Sequence, residues 1–356
     1  MAIPTAIQVE ALDIDNDNFD ADVAYENLRA HLQRYGTLVV PEEDREDLKR
    51  AIARIRDIST GLTHDFATLL THAAFSDEID VREFWMTSST NRGASLRSTV
   101  ITKESLMRDW GDAGVLVLLD DVSFAVVGEH EKRSAWLDSR RQIEEVAPLA
   151  RLTVSSTCRE ATKNLHTRSL TSDADLQEFL GKPLELTLRG ASRLILSDRY
   201  LAKNCLGDQK RIAALRAFCD AVDTHATKHQ TPTSIALITL GHANYGNEAT
   251  AQHLIDAIMN VSTTSLKTIN SIEAVVATSE ALIDHDRYIR AGRCGFFLGH
   301  GADTLALMPE RGKSAAYFSD LATFRNLRKR EQKLQKQSEK DADTVVWISK
   351  DPRDGH

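Results

Sequence analysis

The sequence predicts an α/β protein. A mixed sheet flanked by helices occupies its second half, and a smaller mixed α/β N-terminal domain precedes it. Three observations carry this expectation. Beyond about residue 190, short β-branched and aliphatic runs (RLILS, SIALITL, SIEAVVAT) alternate with longer amphipathic stretches. That strand–helix–strand order gives parallel strands with helices on their faces. SIALITL is almost wholly apolar, as a strand buried on both faces is. ALIDHDRYI followed by CGFFLGHG reads as a hairpin turning at Ala291-Gly292.

The elements follow in order. Residues 1–22 are acidic and polar and read as a loose lead-in. Val23, Leu28 and Leu32 suit one face of a helix reaching Tyr35. Pro41 and the acids after it start a second helix, which places Leu48, Ile52 and Ile55 on one stripe. Phe66, Leu69 and Leu70 predict a third helix, and 86–100 a loop with Gly93 and many hydroxyls. VLVLL, Asp120-Asp121 and VSFAVVG read as a hairpin of two buried strands. A charged helix from about Glu131 to Val146 and a strand in ARLTVSST come next. DADLQEFLGKPLELTLRGA is helical and broken at Gly181-Lys182-Pro183. Helices follow over 207–229 and 250–259, and a long polar helix with a basic bias over 324–340. TVVWISK then forms a short strand or a docking segment. The expected domains are 1–165, 166–318 and a basic helix and tail over 319–356.

Composition narrows the function classes. The 356 residues carry a net charge of -8, which disfavours bulk attraction to nucleic acid or anionic lipid and leaves such contacts to a local basic patch. Cys158, Cys205, Cys219 and Cys294 lack finger-like or C-x-x-C spacing, so a reduced, cytoplasmic setting is expected. No signal peptide and no transmembrane run is read. No cofactor or metal is expected. Asp120-Asp121 with Glu129 and Glu131 is read as a solvated turn, and His225 with His229 as surface histidines rather than a zinc pair. GHANYGN after SIALITL lacks a phosphate-cradle signature.

Chemistry concentrates at a repeated tripeptide. Asp-Arg-Tyr closes LILSDRYLA and recurs in ALIDHDRYIR. The second copy holds His285 and Arg287, which strand alternation would put on one face. An imidazole beside a guanidinium can hold a phosphate, and Arg287 can do so bidentately. A strand-end His and Arg paired with carboxylates inside the fold is the alternative. Asp198 and Arg199 of the first copy either pair with each other or support the second. His300 and Asp303, after the turn, could face His285, with Asp303 orienting an imidazole as carboxylates do in triads. They could equally satisfy backbone groups of a glycine-flanked turn.

These residues carry a resemblance. From about residue 170 to 310 the chain resembles the phospholipase-D-like domain at the C-terminus of MIT-domain proteins and in bacterial relatives. The matching stretches are LTLRGASRLILSDRYL, the long helix after it, SIALITL and HDRYIRAGRCGFFLGHGAD. Catalytic members of that family carry two copies of His-x-Lys-x-x-x-x-Asp, one His attacking phosphorus and the other protonating the leaving oxygen. Here Arg287 stands where Lys would be, Gly292 where the Asp would be, and Ser197 in place of the first His. One chain supplies at most one half-site.

The resemblance therefore implies a degenerate subunit that binds a phosphate-bearing ligand or nucleic acid, in a bacterial antiviral defence or regulatory system with protein partners. His285 and Arg287 are its candidate catalytic residues; Asp198, Arg199, His300 and Asp303 are its candidate ligand-binding residues. A divergent phosphodiesterase or nuclease using His285 at a homo-oligomer interface is the second expectation. A protein-interaction adaptor touching membrane phosphoinositides is the third.

Overall fold

A computed structural model describes residues 3–12, 19–58, 66–71, 86–87, 96, 101–110, 114–119, 122, 126, 135–138, 143–189, 191–229, 233–241, 251–261, 266–277, 283, 285–307 and 313–348. The chain divides into two compact units, Met1–Asn164 and Leu165–His356. Both are mixed α/β, with helices packed against a mixed sheet.

The first unit contains β1 (Ile3–Ile7), α1 (Phe19–Arg34), β2 (Gly36–Val39), α2 (Arg45–Ile58), β3 (Met86–Thr87), α3 (Lys103–Asp109), β4 (Val115–Val117), β5 (Ala135–Asp138), β6 (Ile143–Val146) and α4 (Ser156–Asn164). Its sheet runs β3-β2-β1-β4-β6-β5, parallel except for β5. Residues 3–7 of the expected lead-in form the fully buried β1, at the middle of the sheet. IPTAI is too short to carry a period of its own, and its pairing with β2 and β4 makes it a strand.

On α1 the core face is Ala21, Ala24, Tyr25, Leu28 and Leu32, whereas Val23 is 41% exposed; the expected stripe was right at two of three positions. Residues 66–71 are helical as expected. The hairpin expected around Asp120-Asp121 does not form: β4 pairs in parallel with β1 and β6, and Val122 and Val126 are helical. Within the helix expected over 131–146, residues 135–138 and 143–146 are instead the antiparallel pair β5–β6, and 131–134 and 139–142 lie outside the described residues. The strand expected in ARLTVSST is a 3-10 helix, Leu149–Val154, leading into α4. Buried Glu145 on β6 explains that join. Its two carboxylate oxygens accept the Ser156 and Thr157 N–H groups, capping α4 with a charge.

The second unit contains β7 (Arg168–Ser169), α5 (Asp173–Leu180), α6 (Lys182–Leu188), β8 (Arg193–Ser197), α7 (Leu201–Cys205), α8 (Gln209–His229), β9 (Thr233–Leu240), α9 (Ala251–Asn260), β10 (Ile269–Ala277), β11 (Tyr288–Ala291), β12 (Cys294–Leu298), α10 (Ala302–Leu305), β13 (Ser314–Phe318), α11 (Leu321–Asp341) and β14 (Ala342–Ile348). Its sheet runs β14-β10-β9-β8-β11-β12-β13-β7. The parallel trio β8, β9 and β10 sits inside, and antiparallel strands flank it on both sides.

Local chemistry sets the joins. Ser172 accepts the Asp175 N–H while Asp175 answers at the Ser172 N–H, a reciprocal cap that starts α5. Gly181 and Pro183 separate α5 from α6. Asp223 on α8 accepts the N–H groups of Lys267, Thr268 and Ile269, pinning the entry to β10. One sheet face is packed by Ile195, Ala236, Ile238, Val275 and Tyr288 with Leu327 and Leu334 of α11. Each such fully buried aliphatic side chain contributes roughly 1.5–3 kcal/mol. Among the described residues, no helix is long and apolar enough to cross a membrane.

Candidate functional site

The two Asp-Arg-Tyr copies meet. β8 and β11 are antiparallel neighbours, with Ser197 opposite Tyr288. One copy leaves the end of β8 exactly where the other enters β11, so they run head to head. His285, Asp286 and Arg287 precede the strand, which begins at Tyr288. The expected strand alternation therefore does not place His285 and Arg287; the loop before β11 does.

Contacts cross between the copies. Arg199, 8% exposed, brings Nη1 to 3.2 Å from Nε2 of the exposed His285. A guanidinium can only donate, so Nε2 is the acceptor of this contact. Arg287 donates from Nη1 to the Gly299 carbonyl at 3.2 Å, while its Nε faces Asp198 Oδ1 at 3.7 Å. Asp198 and Arg199 thus engage Arg287 and His285 respectively.

The half-buried ring of Tyr200 lies among three cations. Its centroid is 5.2 Å from the Arg287 guanidinium carbon, 5.8 Å from that of Arg199 and 5.9 Å from Lys203 Nζ. The face of an aromatic ring attracts cations at this range. The second tyrosine has the opposite fate. Tyr288 is buried, and its hydroxyl donates to Glu331 of α11.

Asp198 is fully buried. Oδ1 accepts the Tyr200 N–H at 2.9 Å and Oδ2 the Ala302 N–H at 2.8 Å. Burial pushes its carboxyl above the ordinary carboxylate range; the Ala302 and Tyr200 N–H groups and Arg287 oppose that shift. Gly301 makes the approach to Ala302 feasible. A Cβ there would lie 2.1 Å from Asp198 Oδ2, and the residue's φ is +58°.

Asp303 is also buried, and its Oδ1 accepts from Arg211 Nε of α8 at 2.6 Å. Oδ2 lies 3.5 Å from Asn204 Nδ2. On α10, it ties that short helix to α8. His300 is half-buried, and its backbone N–H donates to Thr304 Oγ1. Asp198 and Asp303 therefore hold the frame, while Arg199 and Arg287 present donors and charge beside His285.

No family model matches the chain, and no curated protein matches it.

The other candidates fall elsewhere. His225 and His229 are not surface groups. His225 Nε2 reaches the Leu180 carbonyl at 2.7 Å, and buried His229 reaches Glu185 Oε1 at 3.2 Å. Among the described residues, no three His, Cys, Asp or Glu side chains are grouped to hold a metal ion. Asp120, Asp121, Glu129, Glu131 and residues 242–247 of GHANYGN lie outside the described residues. All four cysteines are buried and unbridged. Burial pushes the Cys158, Cys205 and Cys219 thiols up to about 12, so they are unreactive.

Reading the sequence missed Tyr200, Lys203 and Arg211. Tyr200 stood inside the repeated tripeptide and Lys203 one turn beyond it. The signal was present, but no one-dimensional rule separates Tyr200 at the rim from Tyr288 in the core.

Proposed function

We propose that the second unit is a degenerate phospholipase-D-like module that binds a phosphate-bearing ligand and has no strong catalysis of its own. One observation carries the reading. Arg199, Lys203 and Arg287 converge around Tyr200 at the end of β8, with His285 against Arg199, giving a chain of net charge -8 a local cationic patch. Guanidinium groups suit phosphate oxygens, which they grip through charge-assisted hydrogen bonds.

The same contacts argue against His285 as a nucleophile. Attack on phosphorus uses a nitrogen lone pair, and the Nε2 lone pair is engaged by Arg199.

Calorimetric titration with inorganic phosphate and with a generic phosphodiester tests the reading. Arg287→Ala is expected to weaken binding by roughly 10-fold or more, the loss of one or two charge-assisted hydrogen bonds. Phosphodiester turnover abolished by His285→Ala would replace the binding reading with a hydrolase. Absence of any phosphate binding by the wild-type protein would remove both.

A further inference from the structure

We infer that the ligand carries a planar base beside its phosphate, and that Tyr200 recognises that base: the site takes a nucleotide unit rather than a bare phosphate or a lipid headgroup. This rests on the phosphate-binding reading and extends it to a ligand class and a specificity-determining residue.

The inference starts from the difference between the two tyrosines. Tyr288 is 4% exposed and is spent on the core, its hydroxyl held by Glu331 at 3.1 Å. Tyr200 occupies the same place in its own copy of the tripeptide, yet stays half-buried at the rim. There its ring faces Arg199, Lys203 and Arg287. A phosphate needs only the cations.

The combination has a known chemical use. Bases stack on tyrosine rings and on arginine guanidinium planes, while neighbouring cations hold the backbone phosphates. Arg287 and Arg199 offer guanidinium groups within 6 Å of the Tyr200 ring centre, at 5.2 and 5.8 Å. They also flank His285 and Gly299, where the phosphate would lie. A phosphoinositide headgroup presents a saturated, hydroxylated ring that has no π-face to stack. The tyrosine therefore favours a nucleotide over a lipid source of the same phosphate chemistry.

Tyr200 supplies no proton and touches no reacting bond. Its part is selectivity, so its test compares ligands that differ only in the base. The full chain would be titrated with adenosine monophosphate, ribose phosphate, a short oligothymidylate, and phosphatidylcholine vesicles with and without a phosphoinositide. Adenosine monophosphate and the oligonucleotide should bind roughly 10-fold tighter than ribose phosphate, the loss expected for one stacked base. Tyr200→Leu should erase that preference, bringing adenosine monophosphate and ribose phosphate to equal affinity; Tyr200→Phe should keep it.

The outcomes separate the two readings. Equal affinity of the wild-type protein for adenosine monophosphate and ribose phosphate overturns the inference and leaves phosphate binding standing. So does a preference that survives Tyr200→Leu, or capture by phosphoinositide vesicles in place of nucleotides. Failure to bind any of the four ligands removes the phosphate reading itself. A stronger response to the oligonucleotide than to the mononucleotide identifies the source as a strand.

Discussion

Gly301 concentrates the local demands of the site. Its φ of +58° is in the left-handed region, and a Cβ there would lie 2.1 Å from the Asp198 carboxylate and 2.9 Å from the Arg287 side chain. Gly207 also has a positive φ, +99°, but a Cβ there would meet nothing within 4 Å. Gly207→Ala should therefore lose only the backbone term, about 1–2 kcal/mol. Gly301→Ala should lose more, because Asp198 must also withdraw from the Ala302 N–H, leaving a buried carboxylate short of a donor. Chemical denaturation of the two variants checks the order; equal losses would mean Asp198 moves without penalty. The phosphate affinity of Gly301→Ala should fall as well, since Arg287 loses its fixed neighbours.

At the scale of elements, α11 is latched to the sheet by charge as well as by its apolar stripe. Arg290 donates to both carboxylate oxygens of Glu331, which also accepts the Tyr288 hydroxyl. Arg290 and Glu331 are 6% and 8% exposed. Removing one member of such a pair strands a buried charge, so Glu331→Ala should cost about 3–5 kcal/mol. Replacing both with apolar side chains of similar volume, Arg290→Met with Glu331→Leu, should recover most of it. Thermal or denaturant unfolding of the single and double variants decides the matter; a double variant as unstable as the single would show that the latch, and not the stranded charge, matters. The basic bias of this helix was legible, because its charges outnumber its apolar residues. That Glu331 would turn inward was not, since its partner lies on a strand some forty residues earlier in the chain.

At the scale of the whole molecule, three buried groups in the second unit set a pH dependence. Burial pushes Glu185 up, but His229, Lys182 and Lys228 more than reverse this and hold it well below the ordinary value of 4.5. Burial also pulls His225 and His229 below 6.5. The two shifts agree when His229 is a neutral imidazole donating its Nε2–H to the Glu185 carboxylate. All three folded-state values lie below the unfolded ones, so each contribution is full above the unfolded value and is lost as pH falls. The histidine terms should fade from just below pH 6.5, and the Glu185 term from about pH 4.5 downward. Asp198, raised by burial, works in the opposite sense and partly offsets the acid loss. Unfolding midpoints measured between neutral pH and pH 4 should fall, and Glu185→Gln should flatten the lowest part of that limb. A midpoint that rises on acidification would contradict the assignment.

The sequence by itself determined the α/β class, the parallel trio of strands, the break between α5 and α6, and the turn after β11. These are local signals: apolar runs whose period or length admits one reading, a glycine–proline break, and a hairpin turn expected at Ala291-Gly292 that falls one residue later, at Gly292-Arg293, because Ala291 is paired with Cys294. Only the tertiary structure decided the rest. Ile3–Ile7 became a central strand because two neighbours supply its hydrogen bonds, and 135–138 and 143–146 a strand pair because β6 extends an existing edge. The repeated Asp-Arg-Tyr became one cluster rather than two half-sites because β8 and β11 run antiparallel, bringing His285 to Arg199 across 86 residues of chain. Strand direction and pairing are long-range properties, and they set which charges meet.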